Sequence, residues 1–386
     1  MQKIIDIKNC SGCHACYNAC PKQCISMQPD SEGFLRPVID NSLCIDCGLC
    51  KKVCPVLGEY KGNPKGTAYA CINNNEETRQ QSSSGGVFTL IAEYILSLGG
   101  VVFGAAFDED LSVHHIEVTN REALSKLRGS KYLQSRIGAT YKSAKAYLEG
   151  GKPVLFTGTP CQISGLYAFL GKDYENLYTQ DLICHGVPSP DVWQKYLRFR
   201  EKSAGASTQR TFFRHKKYGW KMYSVLLDFT NSAEYIQIFP KDLYMQGFLA
   251  DLCLRPSCYN CHSKSVERES DITLADFWGV EQVCPEFFDD KGTSLVLINS
   301  PKGAKLFDAI LSLMHCKEVD MDEALKYNPA AFRSVAKPQK RKLFMKLINE
   351  VPFDAAVEVC IRKGLVEKAI IFAKKAVRKV IKWLNI

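Results

Sequence analysis

A cysteine pattern that occurs twice near the start constrains this 386-residue chain more than any other feature. Cys10-Ser-Gly-Cys13-His-Ala-Cys16-Tyr-Asn-Ala-Cys20-Pro21 returns, 34 residues on, as Cys44-Ile-Asp-Cys47-Gly-Leu-Cys50-Lys-Lys-Val-Cys54-Pro55. Three thiolates, each two residues apart, can wrap three corners of one iron–sulfur cube in a tight loop. The fourth, followed by proline, points away and ligates the other cube.

This spacing is that of bacterial two-cluster ferredoxins. Cys10, Cys13, Cys16 and Cys54 are expected to hold one [4Fe–4S] cluster, and Cys44, Cys47, Cys50 and Cys20 the other. Gly12 and Gly48 let backbone N–H groups approach the sulfurs. Two structural zinc sites are the alternative, but zinc patterns rarely space three cysteines so closely. Cys24 has no slot in this scheme and reads as a packed or stray thiol. His14 is expected to tune the first cluster by hydrogen bonding or to face solvent. Residues 25–39 read as a hairpin turning at 31–33, and 61–66 as a linker that closes a module over 1–62.

The remaining composition is ordinary for a globular protein, at 46% hydrophobic and 24% charged. The first ten residues contain no apolar segment of the signal-peptide kind. The 18 cysteines are therefore expected in a reducing compartment, the cytoplasm, and as metal ligands rather than disulfides. No run of eighteen apolar residues occurs, and Gly99-Gly100 splits the most apolar stretch into a buried helix (87–98) and a buried strand (101–107). Charge is uneven. Residues 333–386 hold 14 basic and 4 acidic side chains, while the rest is close to neutral. Clusters of about −2 each would make the body acidic and leave the tail cationic.

Elements after the first module alternate without a strict βα rhythm, so an α+β fold is expected. A larger mixed α/β domain follows the ferredoxin module, as regions 67–151 and 152–330, and 331–386 is a basic helical tail. Within that tail, 364–386 reads as an amphipathic helix. It either packs on the body or touches an anionic membrane surface at the inner face. Nucleic acid is not expected as a partner, for no recognition fold is evident.

Four further cysteines sit in unusual local settings. Cys161 follows a strand expected at 153–156, Cys184 precedes His185-Gly-Val-Pro188, and Cys258 and Cys261 form a C-x2-C. They could close a third [4Fe–4S] cluster. Alternatively, Cys161 is a catalytic thiolate or an inert buried thiol, and the C-x2-C is half of a zinc knuckle. Cys71, Cys253, Cys284, Cys316 and Cys360 read as small buried hydrophobes. Ser84-Gly85-Gly86 precedes the helix at 87, where N–H groups could meet a phosphate, or where Ser84 merely caps the helix. Thr157-Gly158-Thr159 lies at a strand end, and Lys131 adds a cation. Together these suggest a phosphorylated planar cofactor.

As a set, these motifs resemble the coenzyme F420 hydrogenase/dehydrogenase β-subunit family with an N-terminal two-cluster ferredoxin domain. The residues that carry the likeness are Gln81–Gly86, Gly129–Tyr132, Thr157–Gln162, Cys184–Ser189, Arg255–Cys261 and Asp271–Gly279. The resemblance implies FAD and a third cluster. Cys161, Cys184, Cys258 and Cys261 become its ligands, and Ser84, Gly85, Gly86, Lys131, Thr157, Gly158 and Thr159 become flavin contacts. Asp276 and Trp278 either line the site or pack it.

The expected function is an iron–sulfur flavoprotein oxidoreductase. It relays single electrons between [4Fe–4S] clusters and FAD, and exchanges a hydride or two electrons with a small organic acceptor such as a deazaflavin or a glycan-pathway intermediate. His185 is a candidate proton donor or a structural residue. A redox partner protein or reduced ferredoxin is expected. The alternatives are a non-catalytic electron-transfer subunit of a larger redox complex and a cysteine-nucleophile transferase using Cys161.

Overall fold

A computed structural model of the chain describes residues 9–361. The N-terminal module contains a hairpin, β1 (Ile25–Pro29) against β2 (Leu35–Ile39), antiparallel from Ile25↔Ile39 to Pro29↔Leu35. Each cysteine repeat carries a short helix, Ala15–Ala19 in the first and Leu49–Lys52 in the second. The two loops share a backbone despite different side chains. Gly12 (φ 71) and His14 (φ 63) flank Cys13, as Asp46 (φ 54) and Gly48 (φ 73) flank Cys47. Left-handed residues on either side of a cysteine turn successive N–H groups inward.

The larger domain is built on β3 (Thr67–Asn73), β4 (Val101–Phe107), β5 (Val113–Val118), β6 (Val154–Thr157), β7 (Leu177–Leu182), β8 (Thr208–His215), β9 (Ser224–Phe229), β10 (Glu234–Ile238), β11 (Ile272–Asp276), β12 (Ser294–Ile298) and β13 (Met314–Val319). Eight strands form one sheet in the order β13-β3-β12-β11-β7-β6-β4-β5, and β10-β9-β8 form a second. Strands β4, β6, β7 and β11 run parallel, and the flanking pairs are antiparallel. The domain is mixed α/β as expected, with its centre more parallel than the irregular element order suggested. Regions 67–151 and 152–330 share this sheet, because β3 pairs with both β12 and β13.

Strand alternation sends neighbouring residues to opposite faces. Val102, Ala106 and Leu155 pack beneath helices Val87–Ser97 and Pro301–Ile310. Val101, Phe103, Val154 and Phe156 pack beneath Thr140–Glu149 and Pro160–Leu170. The helix Pro160–Leu170 has strong punctuation: a Thr159/Gln162 capping box, proline in its first turn and left-handed Gly171 at its end.

The polar stretch after β3 contains a short helix, Glu76–Gln80, whose first turn is capped by Asn75 Oδ1 accepting from Thr78 N at 2.8 Å. The helix Pro301–Ile310 is followed by a short turn of helix, and the chain then enters the edge strand β13. In the tail, the helices Arg341–Leu347 and Phe353–Ile361 are parted at Val351-Pro352. They bury Phe344, Met345, Phe353 and Val357 in the cluster that holds Trp193 and Tyr196. The segment 364–386, with its membrane contact, lies outside the described residues. No described helix is long and apolar enough to cross a membrane.

Candidate redox site

Cys10, Cys13, Cys16 and Cys54 line one cavity, together with Ser11, Gly12 and His14. Three thiols from the first repeat thus meet the fourth cysteine of the second. All four are buried, and Gly12 N donates to Cys10 Sγ at 3.4 Å. His14 faces this cavity rather than solvent, and burial holds its pKa down at about 3. The other set lies further out. Cys50 has Cys47 and Cys44 as its charged neighbours, Cys44 and Cys50 are half-buried, and Cys47 is exposed. Cys24 is buried beside this set, with its Sγ 3.3 Å from that of Cys20. The spacing gave no sign of that contact.

A second cavity is lined by Cys161, Cys184, Cys258 and Cys261, with His185, His262, Ser263 and Arg268 in its wall. The fold explains the convergence. Cys161 opens the helix after β6, Cys184 follows β7 on the neighbouring parallel strand, and the C-x2-C lies on the turn Pro256–Asn260 and its exit. Carboxyl ends of parallel strands are where open α/β sheets place ligands. Burial and the thiols of Cys261, Cys184 and Cys258 push Cys161 well above the ordinary range. That disfavours a free catalytic thiolate and suits a thiol that ionises on metal binding. Both cavities contain buried polar atoms without a partner among the described residues. These are Ser11 Oγ and His14 Nδ1 at the first, and His262 Nε2, Ser263 Oγ and Arg268 Nε at the second. Such atoms fit an anionic group with sulfide acceptors. The two cavities adjoin, since Ser11 lines both.

The remaining cysteines follow the expectation in part: Cys71, Cys253, Cys284 and Cys360 are buried, and Cys316 is half-buried. His185 stands at the cysteine cavity, with Nε2 2.6 Å from Asp251 Oδ1.

The candidate flavin contacts come from three places: the segment before helix Val87–Ser97, the loop after helix Arg121–Leu124 and the end of β6. Thr157 Oγ1 donates to Phe103 O, Gly158 N to Gln180 O, and Thr159 Oγ1 lies 3.2 Å from Cys161 Sγ. Lys131 Nζ donates to the carbonyls of Leu127, Arg128 and Gly129 at 3.1–3.2 Å, and burial lowers its pKa to about 7. Ser84 does not cap the helix. Its hydroxyl donates to Thr293 O, and left-handed Gly86 occupies the cap without a side-chain bond. Gly85 N donates to Ser294 Oγ. Ser130 N donates to Ser83 Oγ at 2.7 Å, which joins the two loops. Asp276 pairs with Arg214 at 3.0 Å and accepts from Trp220 Nε1, while Trp278 stacks on Trp220, so both residues pack the site.

Sequence reasoning missed two cations. Arg214 reaches Ser83 O, and Lys216 Nζ donates to Arg79 O, Ser84 O and Lys291 O. They lie in one charged run, Arg214-His-Lys-Lys217, of which Arg214 and Lys216 are buried, and nothing in the sequence sets that run apart from a solvated one.

Comparison with known proteins gives the same two parts. Two family models describe the beta subunit of "Coenzyme F420 hydrogenase/dehydrogenase". The model of its N-terminal part matches residues 68–140, and the model of its C-terminal part matches 151–324. A 4Fe-4S dicluster domain matches 9–57. A coenzyme F420-dependent sulfite reductase of Methanocaldococcus jannaschii is 29% identical over 196 residues, which is 49% of this chain and 29% of that protein. The chain therefore spans less than a third of that relative's length. A 7Fe ferredoxin of Hydrogenibacillus schlegelii is 44% identical over 46 residues, 12% of this chain and 53% of its own. A chain of the F420-reducing [NiFe] hydrogenase complex from Methanosarcina barkeri superposes with a TM-score of 0.46 at 17% identity, covering 78% of this chain and 93% of that one.

Proposed function

The chain belongs to the coenzyme F420 hydrogenase/dehydrogenase β-subunit family, and from that premise we propose that it is an iron–sulfur flavoprotein carrying electrons between an exposed face and a small-molecule acceptor. One observation carries this reading. Cysteines from three distant segments line one cavity, and that cavity shares Ser11 with the cavity of Cys10, Cys13, Cys16 and Cys54.

In this reading Cys20, Cys44, Cys47 and Cys50 hold the outer cluster, Cys10, Cys13, Cys16 and Cys54 the inner one, and Cys161, Cys184, Cys258 and Cys261 the third. Bound clusters supply one-electron storage, and bound FAD supplies the exchange between single electrons and a two-electron transfer. Ser84, Gly85 and Gly86 present a helix N-terminus to its phosphates. Lys131 adds a half-buried cation, and Thr157, Gly158 and Thr159 bring the backbone close beside Cys161. His185 is fixed through Nε2 by Asp251, which leaves Nδ1 to exchange a proton with the acceptor. Leu43, Ile45 and Leu57 are more than half exposed around the outer cysteines, an apolar rim suited to a docking redox protein such as reduced ferredoxin. The acceptor class extends from a deazaflavin to a glycan-pathway intermediate.

Anaerobic reconstitution tests the proposal. It expects about twelve iron atoms and one FAD per chain, and about four fewer iron atoms in Cys161→Ser. A transferase using Cys161 would lose activity in that variant but no iron. Acceptor reduction by the purified chain alone would exclude a pure relay.

A further inference from the structure

Arg255 stands between the two cysteine cavities, outside the lining of either. Its side chain is fully buried. Nε donates to Cys10 O at 2.7 Å, Nη2 to Leu35 O at 2.9 Å, and Nη2 also approaches Cys10 Sγ at 3.7 Å. Nη1 donates to Gln134 Oε1 at 2.7 Å, and Gln134 Nε2 returns a bond to Ser11 O at 3.0 Å. The main chain of Arg255 belongs to the other side. Its carbonyl accepts from Cys258 N at 2.9 Å, at the start of the turn that carries Cys258 and Cys261.

Gly12 is shaped around this head group. It is left-handed, and a Cβ there would lie 2.7 Å from Arg255 Nη1 and from Gln134 Nε2. The two cysteine sets approach at a second point as well. A Cβ on Gly165 would lie 2.8 Å from Cys13 Cβ, and Gly165 is four residues after Cys161 on the same helix face.

The charge balance at Arg255 is unusual. A buried guanidinium needs a counter-charge, yet no carboxylate oxygen lies within 4 Å of it among the described residues. Arg36 makes the contrast. It too donates to Cys10 O, at 3.2 Å, but its Nε is paired with Asp30 at 2.9 Å. The groups beside Arg255 that would carry negative charge, once they ligate a cluster as thiolates, are Cys10 on one side and Cys258 and Cys161 on the other, with Arg36 as a second cation nearby.

We propose that Arg255 is a positioning residue for electron transfer, which fixes the inner ferredoxin loop against the third cysteine cavity and raises the reduction potential of the inner cluster. A positive charge and a hydrogen bond at a ligating sulfur favour the form that carries one more electron. The step concerned is the passage of one electron from the reduced outer cluster to the oxidised inner one. No bond or proton changes place, and a docked one-electron donor of the ferredoxin class replaces the electron. The role at the junction rests on the third-cluster reading, while the effect on potential needs the inner cluster alone.

The test is a redox titration of the reconstituted full chain followed by electron paramagnetic resonance, with iron counted in every sample. The inner cluster is identified as the signal lost in Cys13→Ser. Arg255→Gln is expected to keep its iron while the inner cluster becomes about tenfold harder to reduce at a fixed potential, a lowering of about 59 mV for one electron. Arg255→Lys keeps the charge but cannot reproduce the fork, and is expected to fall between. Arg36→Gln is expected to move the potential less than Arg255→Gln. An unchanged potential in iron-replete Arg255→Gln overturns the inference and leaves the third-cluster reading intact. Should Arg255→Gln lose iron, an unchanged potential in Arg255→Lys overturns it equally. A wild-type protein with about eight iron atoms and the shift intact would instead overturn the third cluster and the junction.

Discussion

The ring of His115 is buried, with Nδ1 2.7 Å from Ser135 Oγ and Nε2 2.9 Å from the carbonyl of Thr157. It holds the strand-end loop that carries Thr157–Thr159, and burial lowers its pKa from 6.5 to about 4. The sign of the consequence follows. Between those values the unfolded chain binds the proton and the folded chain does not, so folding stability is lost as pH falls from about 6.5 to about 4. His115→Gln is expected to remove that part of the acid sensitivity. Denaturant unfolding of both proteins at steps from pH 7 to pH 4 checks it, and parallel curves would refute it. His115 carried no signal in the sequence, because its importance comes from Thr157 arriving on a strand two places over. Arg214 and Lys216 were missed for the same reason: their partners, Asp276 and Ser84, are distant in sequence. The cysteine repeats were legible because their ligand geometry is local. Only the pairing of Cys161 and Cys184 with the C-x2-C needed the family likeness, since spacing left it open.

At the scale of elements, the helix Pro160–Leu170 sets the distance between two cysteine sets through Gly165. Gly165→Ala would press on Cys13 Cβ and Tyr141 Oη, and a cost of about 1–3 kcal/mol is expected from overpacking. A denaturation midpoint equal to the wild type would show that this contact yields freely. The tip of the β1–β2 hairpin is anchored by Glu32, which accepts from Arg341 Nη1 at 2.8 Å and from Nη2 at 2.5 Å. Arg341 is 5% exposed and Glu32 24%. Glu32→Ala is therefore expected to cost about 2–3 kcal/mol, below the range for a fully buried pair, measured in the same unfolding experiment. Elements with continuous apolar runs were readable, such as the helix Val87–Ser97 and β4. The edge strand β13 was not. Its exposed, mixed pattern resembles the end of the preceding helix, and pairing with β3 decides its structure.

For the whole molecule, exposure orders the site. Cys47 is at the surface, Cys10 to Cys16 are buried, and the third cavity adjoins them through Ser11 at the carboxyl ends of β6 and β7. The tail divides differently from its charge. Residues 341–361 contribute Phe344, Met345, Ile348, Phe353 and Val357 to the hydrophobic core, so a chain cut before Arg333 is expected to lose stability, while one ending at Ile361 keeps its iron and fold. Thermal melting and iron content of the two truncations check this. The shorter cut is also the wrong control for membrane binding by 364–386, because it removes core side chains. The central claim is that electrons cross from the ferredoxin module through the inner cluster to the flavin. Anaerobic stopped-flow mixing of reduced ferredoxin with the flavin-loaded chain tests it most directly, by following the bound flavin's visible band in wild type and in Cys13→Ser. Bleaching in the wild type, and its loss in a Cys13→Ser protein that still binds FAD, is the predicted result. Bleaching at an unchanged rate in Cys13→Ser would contradict it.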